Sequence, residues 1–136
     1  PAQLDADFTL MLFGKEPKTG HLTAGQRAED SALAYLQAQG LALVERNYRC
    51  RGGEIDLIMR DGSKIVFVEV RFRSDQRFGG ALASVGTHKQ ARLIYAASHY
   101  LTAKRIDRPA RFDVAAVSPD QGKLAIQWIK DAFQTG

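Results

Sequence analysis

One cysteine, Cys50, stands in 136 residues, which excludes an intramolecular disulfide and a thiolate metal cluster and fits a reducing compartment. Long apolar runs are missing too. The nearest candidate for a targeting segment, Phe8-Thr9-Leu10-Met11-Leu12-Phe13, is too short and follows acidic rather than basic residues. A cytoplasmic location with no membrane partner is therefore expected. His21, His88 and His99 are not spaced as a ligand set, and there is no phosphate-cradling Gly-rich loop, no Ser-His-Asp order, no internal repeat and no low-complexity tract. Any chemistry is left to carboxylates and cations.

What is present is one domain's length of chain with an ordinary 45% hydrophobic content, enough for a single core. The net charge is +4, and its distribution is uneven. Between Glu45 and Arg111 there are fourteen Lys or Arg against seven Asp or Glu, as a surface facing a polyanion requires, although solvated basic residues also cover ordinary surfaces.

The central stretch is Gly53–Arg73. Two runs rich in Ile, Val, Leu and Phe flank Asp61-Gly62, a strong hairpin signal because both residues tolerate the positive φ of a type I′ turn. With those two as the loop, Arg60 faces Ser63, Asp56 faces Phe67 and Glu54 faces Glu69. Alternation then puts Glu54, Asp56 and Ile58 on one face with Ile65, Phe67, Glu69 and Arg71, and Ile55, Leu57, Met59, Val66, Val68, Val70 and Phe72 on the other. Asp56 and Glu69 become diagonal neighbours, roughly 7–8 Å apart at Cα. Carboxylates on a buried face repel each other, so either their pKa values rise or something positive joins them. A Mg²⁺ or Mn²⁺ ion suits such oxygen ligands; Arg71 and Arg73, on the face of Glu69, offer a salt-bridge ladder instead.

Asp56, followed after a hairpin by Glu69-Val70-Arg71, resembles the D…(D/E)-x-K signature of restriction-endonuclease-like nucleases. A wider set, Ala24-Gly25-Gln26-Arg27-Ala28-Glu29, Arg46-Asn47-Tyr48-Arg49, Gly53–Ile58, Val66–Val70 and Arg111-Phe112-Asp113-Val114, resembles the YraN-like family of small bacterial proteins over roughly residues 21–131. That resemblance implies an endonuclease-like α/β fold near the archaeal Holliday-junction resolvases, an acid brought from the first helix to the metal, and a homodimer, since a symmetric junction needs two cuts.

Residues 1–22, with Gly14, Pro17 and Gly20 and no sustained period, are expected to be a partly ordered tail, leaving 23–136 as a single domain. Thr23 and Gln26 make a capping box for a helix over about 24–39, with Ala32, Leu33 and Leu36 inward and Glu29 between the last two. Glu29 needs a partner there: the metal, or an arginine such as Arg46 or Arg49. Leu41–Arg49 reads as a strand completing a three-strand meander with the hairpin. Residues 74–80, with Arg77 and two glycines, form either a phosphate-contacting loop or a surface connector. Thr87-His88-Lys89-Gln90 reads as a second capping box, opening a helix to about Ala103 with Ala91, Ile94, Ala97 and Leu101 inward. It would be the crossover to a parallel strand at 111–117, in which Asp113 pairs with an arginine such as Arg111. After a turn at 118–122 comes an edge strand at 123–129, with Leu124, Ile126 and Trp128 toward the core. The expected fold is an αβββαβ core within a mixed five-stranded sheet flanked by helices.

The resemblance implies a metal-dependent endonuclease acting on DNA, on branched or single-stranded structures. Glu29, Asp56 and Glu69 are its metal ligands; Arg71 and Lys89 complete the catalytic set, and Arg73, Arg77, Lys89 and Arg92 are its nucleic-acid contacts. Arg71 stands where the signature has lysine, and a guanidinium cannot plausibly act as a base, so either Lys89 is the nearest substitute in sequence, as nucleases of the resembled fold allow, or metal-bound hydroxide suffices. The same departure supports an alternative, a non-catalytic nucleic-acid-binding or protein-interaction module on the same fold.

Overall fold

Thr23 opens the first helix as its spacing from Gln26 requires: its hydroxyl accepts from the Gln26 N–H at 3.1 Å, and Gln26 Oε1 accepts from the Thr23 N–H at 2.8 Å. In the computed structural model, which describes residues 22–73 and 84–135, this helix is α1, Ala24–Ala38. Then follow β1 (Ala42–Cys50), β2 (Gly53–Asp61), β3 (Lys64–Phe72), α2 (Thr87–Ala103), β4 (Ala110–Asp120) and β5 (Lys123–Phe133). The tail expected over 1–22 lies, but for Leu22, outside the described residues, as does the 74–80 loop with Arg77.

The strands form one sheet in the order β1-β2-β3-β4-β5, antiparallel except for β3 against β4. Parallel neighbours need a crossover, and α2 supplies it. The result is the expected αβββαβ core within a mixed sheet, with β5 added at an edge. Each face has its own core. On the α2 side Ile58, Phe67, Phe112 and Val114 meet Leu93, Ala97 and Tyr100; on the α1 side Leu57, Met59, Val66, Val68 and Val117 meet Ala28, Ala32 and Leu36. Burial on both faces is why β2, β3 and β4 read as nearly continuous apolar runs.

Both helices are turned slightly from the expected stripes. Leu33 is only half-buried in α1, where Ala28 and Ser31 are buried beside Ala32 and Leu36. In α2 the buried residues are Leu93, Ala96, Ala97 and Tyr100 rather than Ala91, Ile94, Ala97 and Leu101. Tyr100 is the reason: its ring makes edge contacts with Phe67 and Tyr48, centroids 6.1 and 5.1 Å away. The N-cap is Gly86, not a capping box at Thr87; Gln90 Nε2 instead donates to the Val85 carbonyl at 2.9 Å. Gly53 seats the β1–β2 turn beneath α2, since a Cβ there would lie 2.2 Å from the Arg92 carbonyl oxygen.

The hairpin turns one residue later than Asp61-Gly62. Asp61 pairs with Lys64 and Ile58 with Phe67, so the loop is Gly62-Ser63, with Gly62 at φ 61 and Ser63 outside the left-handed region. That is the pattern of a II′ hairpin, which wants glycine first. That shift alone leaves each residue on its expected face but moves its partner by two. Asp56 therefore belongs one step beyond the last paired residues, Leu57 and Val68, across from Glu69 instead of diagonal to it. A second departure occurs at the same level. Ile55 joins the α2-side core while Leu57 joins the α1 side, which simple alternation forbids. Asn47, between the pairs Arg46↔Leu57 and Tyr48↔Ile55, has φ 54, so β1 and β2 change phase together beside Asp56.

Asp113, fully buried in β4, accepts from Arg111 Nε at 3.0 Å, Trp128 Nε1 at 2.9 Å and the Asp131 N–H at 2.9 Å, and Arg111 goes on to Asp61 at 3.0 Å. Its charge is answered, as expected from Arg111. Asp113→Ala would leave a half-buried guanidinium and an indole N–H without their acceptor, so we expect a loss of about 3–5 kcal/mol in urea unfolding. A loss below about 1 kcal/mol would show that this network is peripheral to stability.

Candidate active site

Glu69 lies in the central strand, 3% exposed, because β3 is covered on both faces. Its Oε2 is met by two cations from different elements: Arg71 Nη1 at 3.3 Å from the same strand, and Lys89 Nζ at 3.5 Å from the first turn of α2. Oε1 is buried and accepts no hydrogen bond among the described residues. The third neighbour is Asp56. Burial first, then the charge of Asp56 and a hydrogen bond shared with its side chain, push the Glu69 carboxyl up to about 8, against the pull of Lys89 and Arg71. Asp56 is itself anchored, its Oδ2 accepting from the Val70 N–H at 2.8 Å.

The structure thus brings together Asp56, Glu69, Arg71 and Lys89, four residues separated in sequence by as many as 33 positions. Arg71 is clamped from outside the strand, with Nε 3.1 Å from Ser84 Oγ and Nη2 3.4 Å from the Ser84 carbonyl. Nothing in the sequence marks Ser84 for this. Asp56 also lines an open cleft of about 500 Å³ between the start of α1 and β1–β3, with Glu29, Arg46, Asn47, Glu54 and Val70 around it. The N-terminal turn of α1 enters this cleft because the capping box places Thr23 at its rim.

Glu29 faces the same cleft but is not brought to the pair. Its Oε1 is held by Arg46 Nη2 at 2.8 Å and Asn47 Nδ2 at 3.0 Å, while the same Arg46 nitrogen reaches Asp30 at 2.7 Å. Among the described residues no three His, Cys, Asp or Glu stand close enough to hold one ion. Arg73 is half-buried at the end of β3, with its N–H on the Val117 carbonyl at 2.8 Å, and Arg92 is exposed one turn along α2 from Lys89.

The model of uncharacterised protein family UPF0102 matches residues 28–117, from α1 through β4, and so takes in Glu29, Asp56, Glu69, Arg71 and Lys89. The chain belongs to family UPF0102. It is 54% identical over 118 residues to a UPF0102 protein of Janthinobacterium sp. (strain Marseille), covering 87% of this chain and 93% of that one. A UPF0102 protein of Shewanella loihica is 57% identical over 113 residues, 83% and 96% of the two chains. One from Herminiimonas arsenicoxydans is 50% identical over 126 residues, 93% and 98%. YraN-like membership and the endonuclease-like core expected with it agree with this UPF0102 assignment. Among the described residues no helix is long and apolar enough to cross a membrane.

The raised Glu69 pKa has a measurable consequence in this UPF0102 chain. Between the ordinary value of 4.5 and about 8, the folded state binds more protons at this site than the unfolded state. That contribution to stability is complete below the lower value and is lost as pH rises through the upper one. In chelator, the melting temperature of Glu69→Gln relative to the parent should therefore climb by a few degrees as pH rises from about 5.5 to about 8.5. A constant offset across that range would show that Glu69 titrates normally.

Proposed function

We propose that this UPF0102 protein is a metal-dependent nuclease that hydrolyses phosphodiester bonds of DNA, on branched or single-stranded structures. The observation that carries the proposal is the buried Glu69 carboxyl beside Asp56, with one oxygen to which no described group donates and the other met by two cations. A protein that only binds phosphate gains nothing from such a pair, because added negative charge weakens its attraction to a polyanion.

The donor set fits a hard divalent cation. Mg²⁺ is held in proteins by one or two carboxylates and keeps waters or phosphate oxygens in its remaining positions, so Asp56 and Glu69 suffice without Glu29. When bound, Mg²⁺ or Mn²⁺ supplies polarisation of a phosphoryl oxygen and a lowered pKa for water. The chain's own residues do the rest. Lys89, delivered by α2 to 3.5 Å from Glu69, takes the place the D…(D/E)-x-K pattern gives to the residue at Arg71. An ammonium can lose its proton, whereas the Arg71 guanidinium stays charged and, fixed by Ser84, is suited to negative charge developing on the phosphate. Glu29 restrains Arg46 at the cleft wall, and Arg73 and Arg92 would hold phosphates that flank the scissile one.

The test is a cleavage panel of single-stranded, duplex, flap and four-way-junction DNA with Mg²⁺ or Mn²⁺. The parent should cut at least one substrate. Asp56→Asn and Glu69→Gln should each lose at least about 100-fold, and Lys89→Ala about 100- to 1,000-fold while still binding DNA. No cutting, or cutting that survives both carboxylate changes, contradicts the proposal; DNA bound without turnover would make the chain a binding module instead.

A further inference from the structure

A second group of cations gathers at the other end of α2, away from Lys89. Arg105 and Arg108 in the α2–β4 loop and Arg60 at the end of β2 line an open cleft of about 310 Å³, whose floor includes Val44, Ile65 and Tyr100. Lys64, opposite Asp61 at the hairpin tip, and Lys104, the C-cap of α2, are exposed nearby in the chain. Among the described residues none of these five makes an ion pair, although Arg46, Arg49, Arg71, Lys89 and Arg111 all do. The acids in this neighbourhood are Asp107, exposed on the same loop, Asp61, held by Arg111, and Glu45, next to Val44 and within electrostatic reach of Tyr100.

Two features distinguish this cluster from scattered surface charge. The loop that carries it is tied down: the Arg105 N–H donates to the Thr102 carbonyl at 3.2 Å, the Ile106 N–H to Leu101 at 2.9 Å, and Pro109 accepts from the Ile65 N–H at 2.9 Å. Two elements, β2 and the α2–β4 loop, therefore hold three arginines around one depression. Moreover, the seventeen residues of α2, which carries Lys89 in its first turn, contain no Asp or Glu. The outer face of α2 presents His88, Arg92, Tyr95, His99 and Thr102, all exposed, with Tyr95 53% accessible. Cations at a helix C-terminus also answer the helix dipole, but Arg60 belongs to the sheet and owes nothing to that effect.

We propose that this outer face of α2 and the Arg60–Arg105–Arg108 cluster form a second contact for a nucleic-acid backbone, distinct from the Asp56–Glu69 site. Seventeen helical residues span about 25 Å, or about seven base-pair steps of duplex at about 3.4 Å each. A duplex lying along α2 would thus be gripped at its far end while its near end reaches Lys89 and the carboxylates. The inference rests on the reading of the chain as a DNA-acting protein, but not on turnover.

The test is binding of a fluorescent 30-base-pair duplex in chelator, followed by anisotropy between about 50 and 200 mM salt. Arg105→Gln/Arg108→Gln is compared with Lys123→Gln/Lys130→Gln, which removes the same charge from β5, and melting curves check that both variants fold. The arginine variant should flatten the slope of log affinity against log salt by about 1.8, and Arg60→Gln should flatten it by about 0.9. The lysine variant should leave the slope unchanged. A reduced slope in the arginine variant upholds the surface even if the parent cuts no DNA. Equal slopes in the arginine variant and the parent overturn it even if the parent is an active nuclease. A parent that binds no duplex at 50 mM salt overturns it as well.

Discussion

Two carboxylates on adjacent strands repel each other, and Glu69, 3% exposed, cannot turn to water for relief as Asp56 can at the open cleft. Every feature of the candidate site follows from that constraint at Asp56 and Glu69. Burial and the Asp56 charge raise the Glu69 pKa, and two cations are brought to its one partnered oxygen from separate elements. The topology makes this possible. A parallel step from β3 to β4 demands a crossover helix, and that helix starts where Lys89 can reach the strand it has just left. The phase change at Asn47, meanwhile, turns Asp56 to the cleft beside α1 without moving Leu57 or Ile58 out of the cores.

Asp113 shows what the fold does with a buried acid when structure alone is at stake. It is as deeply buried as Glu69, yet guanidinium, indole and backbone donors surround it and leave neither oxygen idle. Glu69, by contrast, keeps a buried oxygen without a donor and has another acid beside it. A network that was purely structural would gain by supplying that donor, since a buried unsatisfied group costs about 1–3 kcal/mol. The contrast within one sheet separates the two carboxylates by role, and it supports a cation as the missing partner of Glu69.

Much of this was legible in the chain. The capping box at Thr23, the hairpin flanking Gly62, the apolar runs of β2–β4 and the crossover helix all follow from local rules, and together they place Asp56 near Glu69. The register was not legible to the last residue, because Asp61-Gly62 as a I′ loop and Gly62-Ser63 as a II′ loop satisfy the same local chemistry, and only cross-strand packing of Ile58 on Phe67 separates them. The phase change at Asn47 has no sequence mark beyond an asparagine's tolerance of positive φ. The inward face of α2 lies about one position from the stripe its apolar spacing suggests because Tyr100, an amphipathic residue, is core. Ser84 and the Arg60–Arg105–Arg108 cluster were invisible because their members come together only through tertiary contact.

Titration of the metal-free protein with Mn²⁺, by calorimetry or paramagnetic relaxation, tests directly, without reference to any substrate, whether the Asp56–Glu69 pair holds a cation. One ion per chain is expected at millimolar metal or tighter, with the binding lost in both Asp56→Asn and Glu69→Gln and retained in Glu29→Gln. No binding at millimolar Mn²⁺, or binding unchanged in the two carboxylate variants, would contradict it.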